Sequence, residues 1–265
     1  MALARTLGVV GASGGVGTST LAACLATRFT DWGAAACVDA DPLGGGVDVV
    51  FGLDHAAGLG WRDLVTCGEQ RPGLAGAALV DRLPRVGDVA VLSFPRAAVA
   101  TPSGEAWDLV FESLRPRVDL VVVDLPPPGD PELPALLPRL DDVVLLVGDT
   151  PTALAAASTV HAALDDHVDR WWLAQAVPRG GDDLAEAVAS ALDMPLLLAW
   201  PHDPRVATDL AHGSPPGRRG RAAAAAGQGI DRLYGRPRGR RTRGRPRELV
   251  GRAPAPAAVR RGRSA

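Results

Sequence analysis

The chain has 265 residues and a mass of 27.3 kDa, which fits one α/β domain with an appendage or two small domains. All 28 of its Lys+Arg residues are arginine, which excludes mechanisms that need a lysine, either as a Schiff base or as a phosphate clamp. Cys24, Cys37 and Cys67 lack paired spacing, and no apolar run reaches the roughly 18 residues of a membrane span, so we expect a cytoplasmic protein without disulfides or a zinc knuckle.

The net charge of −2 hides two unlike segments. Residues 1–217 carry 13 arginines and 28 acidic residues (net −15), whereas residues 218–265 carry 15 arginines and 2 acidic residues (net +13). The second segment has few large apolar side chains, so we predict a disordered basic tail after a folded domain of residues 1–217. Three interpretations of the tail stay open: a solvated extension, a contact with nucleic acid or an anionic membrane, and GC-rich DNA translated out of frame.

Residues 1–217 alternate between strand and helix patterns. The β-rich runs predict strands at residues 7–10, 35–38, 89–93, 118–123, 143–147, 172–177 and 196–200. The helical patterns lie at residues 21–29, 107–114, 152–164, 183–192 and 204–212. Several strands are apolar on successive residues, which is typical of a parallel sheet buried on both faces. The alternation predicts a doubly wound, mostly parallel α/β sheet with helices on both faces and ligands at the carboxyl ends of its strands.

A glycine-rich stretch, Gly-Ala-Ser-Gly-Gly-Val-Gly-Thr-Ser-Thr at residues 11–20, joins the first predicted strand to the first helix. Such a turn lets backbone N–H groups and the helix dipole meet an anion. It fits a nucleophile elbow, an NAD(P)-binding turn, a P-loop without its lysine, or a tight turn that binds nothing. An elbow needs several preceding strands, whereas only twelve residues precede Ser13. Asp39 lies about 20 residues further on, where a dinucleotide-binding turn has its ribose ligand.

Two later segments favour the P-loop. Residues 118–126 (Val-Asp-Leu-Val-Val-Val-Asp-Leu-Pro) place Asp124 at the end of a buried strand, the Walker B arrangement of a carboxylate that holds Mg²⁺. Residues 37–42 (Cys-Val-Asp-Ala-Asp-Pro) carry Asp39 and Asp41. With these segments, over about residues 5–215, the sequence resembles the MinD/ParA family of deviant P-loop ATPases and, within it, the CpaE-like, septum-site-determining branch.

The resemblance implies ATP and Mg²⁺ as cofactors and assigns roles to particular residues. Asp41 orients the attacking water, and Asp39 is its catalytic neighbour beside the metal. Ser19 and Asp124 are the metal ligands. The residues that the resemblance places around the nucleotide are Ser13, Gly14, Gly15, Val16, Gly17, Thr18, Ser19 and Thr20.

Three residues depart from the family pattern. Ser13 replaces the lysine that crosses the dimer interface in the family, Thr18 replaces the usual P-loop lysine, and Ala12 replaces a glycine. A lysine–phosphate contact contributes about 1.5–3 kcal/mol, so each loss weakens nucleotide binding by about one to two decades. Phosphoryl transfer also depends on positioned positive charge, so the loss affects catalysis more than binding.

We therefore expect a protein that binds ATP weakly or not at all and regulates septum placement or pilus and secretion machinery. The missing lysines leave ATP hydrolysis an open question. The resemblance further implies a homodimer, and a secretion ATPase or cell-division proteins as partners. The alternative function is that of an NAD(P)-binding Rossmann oxidoreductase.

Overall fold

The structure, a computed structural model, describes residues 3–67, 76–96, 101–178 and 182–235. In these residues one eight-stranded sheet runs in the order β3-β4-β2-β5-β1-β6-β7-β8. The strands are β1 (Arg5–Gly11), β2 (Ala35–Asp39), β3 (Arg85–Val86), β4 (Val89–Leu92), β5 (Leu120–Asp124), β6 (Asp142–Val147), β7 (Trp171–Val177) and β8 (Leu196–Pro201). Only the edge pair β3–β4 is antiparallel, which confirms the predicted doubly wound, mostly parallel sheet.

Helices cover both faces of this sheet. The α-helices of the described residues are α1 (Thr18–Phe29), α2 (Val47–Phe51), α3 (Trp61–Cys67), α4 (Ala77–Val80), α5 (Gly104–Leu114), α6 (Leu133–Leu136), α7 (Pro151–Leu164), α8 (Asp182–Ala191), α9 (Pro204–Ala211) and α10 (Gly220–Tyr234). One apolar core lies between the sheet and α1, α2 and α10, and a second lies on the opposite face under α5, α7 and α8. None of these helices has the length and apolarity needed to cross a membrane.

The strand and helix patterns of the sequence correspond to real elements. All seven predicted strands and all five predicted helices are present, with ends within three residues of those predicted. Successive apolar residues face opposite cores: Val9 packs on the α1 side and Val10 on the α5 side. The sequence did not predict the short edge strand β3, the short helices α2, α3, α4 and α6, or α10.

The disorder predicted for residues 218–265 is wrong for Gly220–Tyr234, which form α10. One face of this helix, made of alanines with Ile230 and Leu233, is buried against β8 and α1. Its first turn is fixed by Asp203, whose carboxylate accepts a hydrogen bond from the Ala222 N–H at 3.1 Å. The rest of the predicted tail, residues 236–265, lies outside the described residues.

The strand order brings three loops to one edge of the sheet. Strand β5 lies between β1 and β2, and its last residue, Asp124, is in register with Val9 of β1 and Asp39 of β2. The loop after β1 therefore starts close to both aspartates. In an NAD(P)-binding domain of strand order 3-2-1-4-5-6, the second strand lies directly beside the first, and no Walker B strand separates them.

Candidate functional site

An open cleft of about 300 Å³ lies at the carboxyl edge of the sheet, between the loops that follow β1, β2 and β5. It collects nine of the eleven residues predicted from the sequence as site residues. Its lining residues are Gly11, Ser13, Gly14, Gly15, Gly17, Thr18, Ser19, Thr20, Asp41, Gly44, Gly45, Asp124, Leu125 and Pro127. The two predicted residues outside the lining are Val16, whose side chain packs on the core, and Asp39.

Helix α1 begins at this cleft without a side-chain cap. Gly17, the residue before it, has a φ of +99°, and the first turn contains no acidic side chain. In contrast, the hydroxyls of Ser103 and Thr150 cap the first turns of α5 and α7. The first N–H groups of α1 therefore keep their unpaired partial positive charge, which attracts an anion.

Asp124 ends β5 at the floor of the cleft and is 3% exposed. The Ser19 hydroxyl is a neighbour of this carboxyl group and lowers its pKa, while the buried Oδ1 of Asp124 has no hydrogen-bond partner among the described residues. Burial, together with the charges of Asp39 and Asp41, raises the pKa of Asp124 to about 8 despite the Ser19 contact. Among the described residues, no positive charge compensates this carboxyl group.

A Mg²⁺ ion fits this end of the cleft. Mg²⁺ usually binds one or two protein oxygens, several waters and the phosphates of a substrate, and Ser19 and Asp124 offer a hydroxyl and an unpartnered carboxylate oxygen. Across the described ranges, no group of three or more His, Cys, Asp or Glu side chains could hold a metal. A metal at Asp124 would therefore depend on a phosphate bound beside it.

Asp39 lies outside the lining of the cleft. Its carboxylate accepts hydrogen bonds from both ends of the loop 41–47, which follows β2 and forms the outer wall of the cleft. Its Oδ1 accepts from the Asp41 N–H at 3.1 Å, and its Oδ2 accepts from the Val47 N–H at 3.1 Å and from the Ser93 hydroxyl at 2.9 Å. Burial raises the pKa of Asp39 to about 6, although these hydrogen bonds oppose the shift. Its carboxylate oxygens already have protein partners and position the loop after β2, and its catalytic role beside the metal stays a prediction.

Asp41 lines the cleft, as predicted, and also shapes its wall. Its Oδ1 accepts a hydrogen bond from the Leu43 N–H at 3.0 Å, and its carbonyl accepts one from the Gly44 N–H at 3.1 Å. These contacts form a tight turn of the kind aspartate favours. Gly44 and Gly45, which follow in this turn, also line the cleft.

The ionisable side chains among the described residues that line the cleft are the carboxyl groups of Asp41 and Asp124. Neither an arginine nor a histidine is among these residues. Sequence reasoning missed two residues that support the outer wall, Ser93 and Arg96, which reach Asp39 and Gly45. The available signal was their position at the carboxyl end of a predicted strand, where α/β proteins place functional residues.

Known proteins resemble this chain in sequence over most of its length. No protein-family model matches it. It is 34% identical over 222 residues to the uncharacterized proteins MT3760 and Rv3660c of Mycobacterium tuberculosis, a match that covers 84% of this chain. The chain spans 61% of the length of these two relatives.

Solved structures resemble it more closely in fold than in sequence. A chain of the MinC:MinD cell division protein complex of Aquifex aeolicus superposes with a TM-score of 0.71 at 18% identity, covering 88% of this chain and 97% of that one. A ParA family ATPase from Chlorobium tepidum superposes with a TM-score of 0.72 at 14% identity, covering 86% of this chain and 98% of that one. The septum site-determining protein MinD of Pyrococcus horikoshii, complexed with Mg-ADP, superposes with a TM-score of 0.67 at 18% identity. This match covers 87% of this chain and 96% of that one. The chain therefore has the fold of the MinD/ParA P-loop ATPases.

Proposed function

We propose that this chain is a MinD/ParA-like P-loop protein that binds Mg·ATP weakly and acts as a regulator instead of an efficient ATPase. The observation that carries the proposal is the composition of the cleft. It joins the glycine-rich loop after β1, the uncapped start of α1 with Ser19, and Asp124 at the end of the adjacent strand β5. None of the described residues that line it is a cation.

Binding is proposed to depend strongly on Mg²⁺. The phosphates of free ATP would meet the carboxyl groups of Asp41 and Asp124, which offer them no positive charge, and any ionised carboxylate repels them. A Mg²⁺ ion between Asp124, Ser19 and the phosphates would offset this repulsion. The backbone N–H groups of the loop and of α1 supply the remaining attraction.

Slow or absent hydrolysis follows from the same lining. Stabilisation of the transferring phosphoryl group needs fixed positive charge near its oxygens. Ser13 and Thr18 offer hydroxyls, which donate hydrogen bonds without a formal charge. Asp41 would orient a water beside the outermost phosphate, but orientation alone supplies only part of the lowering of the barrier.

The cellular part of the proposal is regulation of septum placement or of pilus and secretion machinery. The fold supports it through MinD, which is solved in a cell division complex with MinC. A nucleotide that is bound but turned over slowly would hold the loop 41–46 in one arrangement and so report occupancy to a partner. A second copy of the chain and a cell-division or secretion protein are the proposed partners.

Thermal unfolding with Mg·ATP tests the proposal. At 100 times its Kd, Mg·ATP is expected to stabilise the fold by about 2.7 kcal/mol, which is about 5–10 °C in Tm for a domain of this size. ATP with EDTA is expected to give little shift. Asp124→Asn is expected to abolish the Mg·ATP shift without lowering the Tm of the free protein, because it removes an uncompensated buried carboxyl group.

Asp81→Asn is the matched control, since Asp81 is an exposed aspartate outside the cleft. Its Mg·ATP shift should equal that of the wild type. Stabilisation by NADPH with no response to Mg·ATP would contradict the proposal and restore the oxidoreductase alternative.

A further inference from the structure

Arg96 is a basic residue that touches the wall of the cleft from outside. Its Nη1 lies 3.3 Å from the carbonyl oxygen of Gly45, a lining residue. The neighbouring Gly46 has a φ of +85°, and a Cβ atom built on it would lie 2.5 Å from the same Nη1. The guanidinium therefore packs directly against Gly46, and any side chain at position 46 would clash with it.

The guanidinium is held by a carboxylate and not by burial. Arg96 donates to Asp48 through Nη2 at 2.9 Å and Nη1 at 3.2 Å, and its side chain is 48% exposed. The Ser93 hydroxyl also lies 2.9 Å from Asp48 Oδ1, and its single proton is shared between Asp48 and Asp39. Asp48 would therefore keep Ser93 as a shared hydrogen-bond partner if Arg96 moved to another anion.

We propose that Arg96 supplies the positive charge that the glycine-rich loop lacks, by exchanging Asp48 for the outermost phosphate of a bound Mg·ATP. This inference rests on the proposed function. Arg96 follows β4, which runs parallel to β2, so it lies at the same edge of the sheet as the cleft. Its fork-shaped group matches phosphate oxygens bidentately, and the terminal phosphate carries more charge than a carboxylate.

The geometry assigns Arg96 to the terminal phosphate because of which wall it approaches. Gly45 belongs to the loop after β2 that also carries Asp41, whereas the first N–H groups of α1 follow the loop after β1. If Asp41 faces the outermost phosphate, Arg96 faces it as well. The inner phosphates are left to the backbone of the glycine-rich loop.

Removing each partner of the Arg96–Asp48 pair distinguishes this role from a structural one. If the pair only braces the loop, Arg96→Ala and Asp48→Asn weaken nucleotide binding alike. If Arg96 is the phosphate-binding cation, Asp48→Asn frees it and the two variants act in opposite directions. Asparagine can still accept the Ser93 hydrogen bond, so the loop keeps that contact.

Calorimetric titration of the full chain with Mg·ATP and Mg·ADP tests the inference. Arg96→Ala is expected to weaken Mg·ATP binding by about 10- to 100-fold, the value of one charge-assisted contact, and to change Mg·ADP binding by less than about twofold. Arg96→Lys should recover part of the loss. Asp48→Asn should tighten Mg·ATP binding by about twofold or more.

Arg139→Ala is the matched control. Arg139 also pairs with an aspartate through two nitrogens, with Asp108 at 2.8 and 3.3 Å, and donates to the Ala135 carbonyl, but it precedes β6 at the opposite edge of the sheet. The Arg139→Ala variant should bind Mg·ATP and Mg·ADP with the affinities of the wild type. A wild type that binds neither nucleotide overturns the proposed function and this inference together. A binding-competent wild type with unchanged affinity in Arg96→Ala, or with equal losses in Arg96→Ala and Asp48→Asn, overturns this inference alone.

Discussion

Truncation after Gly217 is expected to prevent stable folding, whereas truncation after Gly235 is expected to leave the Tm unchanged. The first change removes α10, and the second removes only residues 236–265. Arginine-rich sequence occurs on both sides of the second cut, so composition alone does not predict different outcomes for the two truncated proteins. The two truncated proteins differ in whether they keep the buried face of α10.

The cost of losing α10 comes from the apolar surface it covers. Ile230 and Leu233 are buried in the core formed with α1 and the sheet, which also contains Leu198 and Trp200 of β8. Burial of one large aliphatic side chain is worth about 2–5 kcal/mol against alanine. Loss of the whole helix therefore exceeds about 5 kcal/mol, which is comparable to the entire stability of many domains.

Polar contacts add to the attachment of α10. The Arg5 guanidinium donates to the Leu233 carbonyl at 3.2 Å and lies 5.2 Å from the Tyr234 ring centroid. Arg232 donates to the Leu196 and Leu197 carbonyls, each at 2.9 Å. These contacts join the last turn of α10 to β1 and β8, so the helix is part of the domain.

Circular dichroism melting and limited proteolysis of the two truncated proteins give the comparison. The protein ending at Gly235 serves as the control for loss of arginines. A cooperative transition near the wild-type Tm in the protein ending at Gly217 would show that α10 is dispensable and would contradict this account.

Thr18→Lys is expected to tighten Mg·ATP binding by about 10- to 100-fold. Thr18 is the first residue of α1 and lines the cleft, at the position where the resembling family has its P-loop lysine. Its Oγ1 lies 2.5 Å from where a Cβ on Gly11 would be, so the side chain turns toward the glycine-rich loop. An ammonium group there would offset the charges of Asp41 and Asp124 and form a charge-assisted contact with phosphate.

Thr159→Lys is the matched control, because it adds the same charge at an exposed threonine of α7, away from the cleft lining. Calorimetry with Mg·ATP measures both variants against the wild type. Equal affinities for Thr18→Lys and the wild type would show that the missing lysine does not limit binding. Equal tightening in the two variants would assign the gain to net charge alone.

The fold followed from the sequence because the strands are buried on both faces. Runs such as residues 120–123, with Leu-Val-Val-Val in one strand, suit only a strand covered by helices on each side. The convergence of the loop after β1 with Asp124 also followed, since carboxyl ends of parallel strands share one edge. Strand order then excluded the arrangement in which β1 and β2 are neighbours.

Helix α10 was missed because its small residues look like a composition that cannot fold. Its alanines and glycines reflect a close approach to the sheet: a Cβ on Gly229 would lie 2.8 Å from Leu198 Cδ2. Small residues at such a contact are a packing requirement, which no local pattern distinguishes from low complexity. The apolar residues Ile230 and Leu233, three residues apart, lie on the buried face, but one such pair is too short a pattern to predict a helix.

The supporting residues of the cleft were missed because their roles depend on tertiary neighbours. Ser93 bridges Asp39 and Asp48, which lie 54 and 45 residues away in the chain. Arg96 acts on Gly45, 51 residues away. A lone serine or arginine after a strand has no spacing pattern that predicts such partners.

The position of a bound metal tests the central claim most directly. Crystals grown with Mn²⁺ and a non-hydrolysable ATP analogue would locate the metal by its anomalous scattering. We predict a peak in contact with Ser19 Oγ, joined to Asp124 directly or through one water, with the phosphates on the N–H groups of the loop 11–17 and α1. Analogue phosphates bound outside this loop, or a metal remote from Asp124, would contradict the claim that the loop and the carboxylate form one site.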